Sequence, residues 1–319
     1  SAAATAAWAV LPAAPPDASS KPAEGYLLEA SSTNFGALSP GGIILSSRTP
    51  NALLASLSAA GLEANTTYYW RVGSLNWNSA PSYTALPATG TLPAALTGLE
   101  QAGVFETSAT VNWLALPAPP PQSATSEGYV LEASSTDFGA LSPGGVTLSS
   151  ATPVVGLSTL TATGLTPNVT YYFRAGSLNW AGAANYAAAG SSATLAPAPG
   201  APAFAGIFPG SVTVSWTPVG SAGYELQASV NASFSPVAAF SSTTAGGAAG
   251  LTVSGLSADT TYFFRAGSVN LGGRRNYAVL GGTSTLAAAP VAPRFPHTGV
   301  FVSSAPAPWA AGTSQGYQV

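Results

Sequence analysis

Cysteine and methionine are absent from this 319-residue chain, and His297 is its only histidine. Without cysteine there is neither a disulfide framework nor a thiolate metal site, and a lone histidine cannot build a metal cluster. Charged residues make up 6% of the sequence, where ordinary soluble chains carry about 25%. A net charge of −3 supplies no basic face for nucleic acid. No run of about 18–20 strongly apolar residues occurs, so no membrane span is expected here. Ser1 does not open a basic region followed by the apolar core of a secretion signal. GxSxG, phosphate-cradling and EF-hand patterns are missing as well. No enzymatic activity and no cofactor are therefore expected. What the chain has instead is alanine, 35 glycines and 27 prolines, a composition of small side chains and turns.

It also has repetition. GYLLEASSTNFGALSPGG at Gly25 returns as GYVLEASSTDFGALSPGG at Gly128, as GYELQASVNASFSP at Gly223, and begins again as GYQV at Gly316. A second motif keeps the same phase: ANTTYYWRVGSLNW at Ala64, PNVTYYFRAGSLNW at Pro167 and ADTTYFFRAGSVNL at Ala258. A period of about 100 residues is too long for a solenoid and fits tandem domains, each with its own core. The expected divisions are residues 1–92 for a module lacking its first strand, 93–195 and 196–287 for complete modules, and 288–319 for the beginning of a further one. Trp8, Trp113, Trp216 and Trp309 hold one place in the successive copies. Ser1 and Val319 both fall inside modules, so the sequence reads as a window onto a longer repetitive polypeptide. The alternative is a chain whose last fragment completes a neighbour's first module by strand addition.

Every segment reads as β. SATVNW and SVTVSW alternate residue by residue, and Gly-Tyr opens a strand with Tyr129, Leu131 and Ala133 on one face and Val130, Glu132 and Ser134 on the other. LTATGL and LTVSGL run into turns at Asn168 and Asp259; YYFRAGS, YFFRAGS and the NYAAAG or NYAVLGG segments supply further strands. No segment needs a helix. Linkers such as LPAALTG and APAPGAPAF are stiffened by proline, which predicts an elongated array.

A Trp ending the second strand, a Tyr opening the third and a Leu-x-Pro-x-Thr-x-Tyr signature before the sixth mark the fibronectin type III family, which this sequence resembles. Leu165, Pro167, Val169 and Tyr171 carry the signature in the second copy, with Val in the Thr place. Leu62, Ala64, Thr66 and Tyr68 carry it in the first; Leu256, Ala258, Thr260 and Tyr262 do so in the third. The resemblance implies tandem seven-stranded immunoglobulin-like sandwiches, and makes Tyr68, Tyr171 and Tyr262 tyrosine-corner residues whose hydroxyls bond to the preceding turn. In its long SSTxFGALSPGG segment the chain is also similar to repeats of very large bacterial cell-surface proteins.

Few residues carry chemistry. Glu29 with Arg71, and Glu132 with Arg174, lie at outward positions of neighbouring strands and suit cross-strand ion pairs; the third copy has Gln227 and Arg265. By the resemblance, Trp77 and Trp180, with Leu271 in the third copy, open the loop between the last two strands of each module; they are the candidate contact or binding residues, for packing, for stacking on a sugar or for anchoring the loop. Asn65, Asn168 and Asn231 match the N-glycosylation sequon, although the first two sit where a turn wants asparagine for its left-handed tolerance. The expected function is that of an extracellular or cell-surface structural protein, forming a filament, sheath or stalk with copies of itself. The alternatives are an adhesion module for glycans or a host surface, and a passive spacer.

Overall fold

The computed structural model describes residues 2–11, 22–36, 42–116, 126–139 and 147–291. His297, Trp309 and the copy beginning at Gly316 lie outside them. The described residues contain twenty β-strands and no helix. None is a helix long and apolar enough to cross a membrane.

The first repeat contributes β1 (Ala2–Ala7), β2 (Gly25–Ser31), β3 (Ile44–Thr49), β4 (Ser56–Leu62), β5 (Thr67–Leu75) and β6 (Pro81–Gly90). β1 pairs with β4, and the others form a four-stranded sheet in the order β3-β2-β5-β6. Strand side chains alternate between faces. One face of each strand therefore meets in a common core: Leu28 and Ala30 of β2, Tyr68 and Trp70 of β5, and Ala59 and Leu62 of β4. The second repeat contributes β7 (Glu100–Val104), β8 (Ser108–Asn112), β9 (Gly128–Ser134), β10 (Thr147–Thr152), β11 (Thr159–Thr163), β12 (Thr170–Leu178) and β13 (Ala184–Ala193). Its sheets run β11-β8-β7 and β10-β9-β12-β13. The third repeat contributes β14 (Gly200–Ile207), β15 (Ser211–Thr217), β16 (Gly223–Ser229), β17 (Ala239–Thr243), β18 (Gly250–Ser254), β19 (Thr261–Val269) and β20 (Arg275–Ser284). Its sheets run β14-β15-β18 and β17-β16-β19-β20. The core of this repeat joins Val212, Val214 and Trp216 of β15 to Leu226, Val253, Tyr262 and Phe264. Three strands beside four, in these orders, make tandem immunoglobulin-like sandwiches.

By Cα proximity, the described parts of Ser1–Gly103, Thr110–Ala162 and Tyr172–Gly190 form one compact unit. Those of Val104–Ala109, Thr163–Tyr171 and Ser191–Val319 form another.

The recurring Gly-Tyr pair has a steric and a packing cause. A Cβ on Gly128 would strike the Thr152 carbonyl oxygen, and one on Gly25 the Thr49 carbonyl, at a φ of +150° in both. Only glycine fits there. The tyrosine that follows packs on the tryptophan of the preceding strand, with ring centroids 5.1 Å apart for Trp8–Tyr26 and Trp113–Tyr129 and 5.2 Å for Trp216–Tyr224. The hydroxyls of Tyr68, Tyr171 and Tyr262 each accept the N–H of the residue five before, Glu63, Thr166 and Ser257, at 3.1 Å. The outward face of β9 is less open than its alternation implies: Val130 and Ser134 are buried too. Ser134 Oγ accepts the N–H groups of Thr136 (3.2 Å) and Phe138 (3.1 Å) and so closes the turn that follows the strand.

Candidate functional site: polar junctions between repeats

Two sets of polar side chains recur, and only one of them stays within its own repeat. On the outer face of the first four-stranded sheet, Arg71 lies opposite Glu29 in register and contacts Glu29 Oε2 at 2.7 Å through both Nε and a terminal nitrogen. Its guanidinium is held between the Phe35 and Tyr83 rings, 3.9 Å from each centroid. Arg174 repeats this with Glu132 at 2.7 Å and with Phe138 and Tyr186 at 4.0 Å. Phe35 and Phe138 reach the cation because the turn after the strand puts them at φ 59° and 57°. The SSTxF segment is therefore an aromatic lid over the arginine. In the third repeat Arg265 still lies between Phe234 (4.3 Å) and Tyr277 (4.0 Å), and its Nε donates to Gln227 at 2.8 Å. The carboxylate has moved two residues along the same strand face to Glu225. It accepts from Tyr277 Oη (2.6 Å) and Gln227 Nε2 (2.6 Å) and pairs with Arg275 at 3.0 Å. Burial raises the Tyr277 hydroxyl and the Glu225 carboxylate raises it further, to about 12. Burial alone would lift Glu225, but the hydrogen bonds from Tyr277 and Gln227 and the Arg275 charge outweigh it and hold this carboxyl below its ordinary value.

The second set starts at the SLNW motif. Asn76 Oδ1 accepts the N–H groups of Asn78 (3.0 Å) and Ala80 (2.9 Å), which folds the loop between β5 and β6 back on itself. Asn179 does the same with Ala181 and Ala183, and Asn270 with Gly272 and Arg274. The next side chain is turned outward: Trp77 is 84% exposed, Trp180 65% and Leu271 63%.

The amide nitrogen of the same asparagine faces the other way, onto the repeat before it. Asn179 Nδ2 donates to the carbonyls of Gly90 (3.4 Å) and Thr91 (3.1 Å), where the first repeat leaves β6. Asn270 Nδ2 donates to Ala193 and Thr194, both at 2.9 Å, where the second repeat leaves β13. Two residues earlier, Ser177 Oγ donates to Ala94 O at 2.5 Å and Ser268 Oγ to Pro197 O at 2.6 Å. From the opening of the last strand, Asn185 Nδ2 reaches Pro93 O at 2.8 Å and Asn276 Nδ2 reaches Ala196 O at 2.9 Å. Three side chains thus fasten the exit segment of the preceding repeat by its backbone, independent of its side chains. A neutral hydrogen bond contributes about 1 kcal/mol net, and a buried partner left unmatched costs more. Sequence reading singled out the tryptophan of this motif and passed over Ser177, Asn179, Ser268 and Asn270. A signal existed: the asparagine is unchanged in all three copies while the residue after it goes from Trp to Leu.

The three sequon asparagines differ. Asn65 is buried, at φ 49°, and its Nδ2 donates to Glu127 Oε1 at 2.8 Å. A glycan on that nitrogen would have to displace the carboxylate. Asn168 is half-buried at φ 55°, and its Oδ1 accepts the Leu271 N–H at 2.8 Å, a further bond across a junction. Asn231 is exposed, and its Oδ1 accepts the N–H and hydroxyl of Ser233, both at 2.9 Å.

No protein-family model and no curated protein matches the chain. Among solved structures it is similar to a two-domain fibronectin type III segment of chicken tenascin. The identity is 18%, covering 58% of this chain and 98% of that one, with a TM-score of 0.35. It is also similar to the FN1–FN3 domains of chicken CNTN1, at 15% identity over 80% of this chain and 91% of that one, with a TM-score of 0.30. The fold assignment rests on the strand order within each pair of sheets.

Proposed function

We propose that the chain is a structural, extracellular repeat protein that contributes to a surface filament, sheath or stalk through packing of successive repeats, with divisions near residues 92, 195 and 287. The observation that carries this reading is the use made of its recurring polar residues. Ser177, Asn179 and Asn185, and again Ser268, Asn270 and Asn276, bond the repeat before them. Arg71, Arg174 and Arg265 are each enclosed between two aromatic rings. Its partners are further copies of the same module, and a surface of small side chains with few charges suits close association better than independent solubility. Negative-stain images of material from the native source, together with protease shaving of intact cells, test the reading. Ordered fibres released by shaving are expected; dispersed, flexible monomers or a protected internal protein would defeat it.

A second reading, adhesion to glycans, is favoured by the exposure of Trp77 and Trp180, since an exposed indole can stack on a sugar face. It expects a glycan-array signal that disappears in Trp180→Ala, and the absence of any signal removes it. The passive-spacer reading differs only in what the array displays.

A further inference from the structure

The turn after β16 is one residue longer than its two counterparts, and the lengthened turn holds a glycosylation sequon. Phe35 and Phe138 follow the last serine of their strands by four residues, whereas Phe234 follows Ser229 by five. In the first two repeats the serine Oγ accepts the phenylalanine N–H, at 3.0 Å for Ser31 and Phe35 and at 3.1 Å for Ser134 and Phe138. In the third repeat Ser229 Oγ accepts the Asn231 N–H (3.1 Å) and donates to Pro236 O (2.7 Å). The Phe234 N–H goes instead to Asn231 O at 3.0 Å. Phe234 nonetheless keeps φ 57° and its place against Arg265. The aromatic lid is preserved, and the extra residue is taken up at the apex, where Asn231, Ala232 and Ser233 are all exposed.

The three sequons are unequal as acceptors. A sugar is joined to the amide nitrogen, so that atom must be reachable and not already committed. Asn65 is 1% exposed and its Nδ2 donates to Glu127. Asn168 is half-buried at a junction, held through its Oδ1 by the Leu271 N–H. Asn231 Nδ2 meets no acceptor among the described residues. Its Oδ1 accepts both the N–H and the hydroxyl of Ser233, each at 2.9 Å. Those two donors stand where negative charge gathers as an amide nitrogen loses its proton. The residue between them in sequence is alanine, which satisfies the rule against proline at the middle of the sequon.

We propose that Asn231 is an N-glycosylation site, modified by a glycosyltransferase that draws on a phosphate-activated sugar. The bond from the anomeric carbon to the phosphate oxygen breaks, and a bond from that carbon to Nδ2 forms. The phosphate or diphosphate leaves with the bonding pair, and Nδ2 gives one proton to a base of the transferase. Ser233 is a positioning residue that holds the amide by its oxygen and leaves the nitrogen outward. Because the sequon lies outside the core and away from the Ser177–Asn179 and Ser268–Asn270 clasps, the folded chain is the substrate. A glycan there adds hydrated polar surface to a chain with only 6% charged residues.

Peptide mapping by mass spectrometry of the chain from its native source, with fragmentation that leaves sugars attached, tests the proposal. A sugar mass increment is expected on Asn231, with the peptides of Asn65 and Asn168 at their unmodified masses. Expressed in the same source, Asn231→Gln and Ser233→Ala should both lose the increment, and Ser233→Thr should keep it. An unmodified Asn231 in the unaltered chain overturns the proposal whether or not any variant folds. An increment that survives Asn231→Gln overturns it too, because the sugar is then on another side chain. A glycan on Asn65 or Asn168 overturns burial as the selecting rule. Fibres that carry a bare Asn231 would remove the glycan and leave the array reading standing.

Discussion

Asn76 and Asn179 begin with the same sequence neighbours, fold the same loop with the same oxygen and end in opposite environments. Asn179 is buried with both ends of its amide engaged; Asn76 is exposed, and among the described residues only its amide oxygen is engaged. The difference lies in what covers them, not in the residue. The loop bond is local and comes with the motif, whereas the amide donor gains its value only once a neighbouring repeat excludes water from it.

The largest effect that separates the two regions is expected from removing a covered asparagine. Asn270→Ala deletes donors to two buried carbonyls as well as the loop acceptor. It should lower unfolding stability by about 2–4 kcal/mol, while Asn76→Ala should cost only about 0.5–1 kcal/mol. Denaturant unfolding of both variants measures the gap; equal losses would mean the junction adds nothing. An intermediate effect sharpens the contrast by pH. The clasps consist of amides, hydroxyls and carbonyls and do not titrate, whereas the outer face of the third repeat does. Tyr277 is raised when folded, so its contribution is complete below its ordinary value of 10.0 and is lost as pH rises toward about 12. Glu225 is lowered when folded, so its contribution is present above its ordinary 4.5 and is lost as pH falls through the depressed value. Urea midpoints across pH should fall at both extremes; Tyr277→Phe should flatten the alkaline limb and also shrink the acid one, because it removes a hydrogen bond that holds Glu225 down. The smallest effect belongs to the exposed ring next to the motif. Trp77→Ala should change stability by less than about 0.5 kcal/mol, and a larger loss would give this side chain a packing role that its exposure argues against.

How much could be read from the chain follows the range of the interactions. Strands at Gly25, Gly128 and Gly223 were legible because alternation and the Gly-Tyr step are set within a few residues. The Glu29–Arg71 and Glu132–Arg174 pairs were legible because the strand phase puts those positions side by side. The aromatic lid was not, since Phe35 and Phe138 come onto the arginine only through left-handed turn residues. Nor was the transfer of charge in the third copy. Gln227 looks like a lost ion pair until Glu225 is found two residues away, on the same face, bound to Tyr277 and Arg275. The junctions were least legible, because Asn179 meets carbonyls 88 and 89 residues earlier in the chain.

By itself the sequence determined the repeat, the strand pattern and the exclusion of cysteine chemistry, because periodicity, glycine sterics and composition act locally or by count. Only the tertiary structure decided which polar groups are used up. It buried Asn65 against Glu127 and left Asn231 in water; it covered Asn179 and Asn270 and left Asn76 open. The same amide can be a structural bond or an unused donor, and hydrogen-bond satisfaction under burial, a property of neighbours brought together by folding, separates the two.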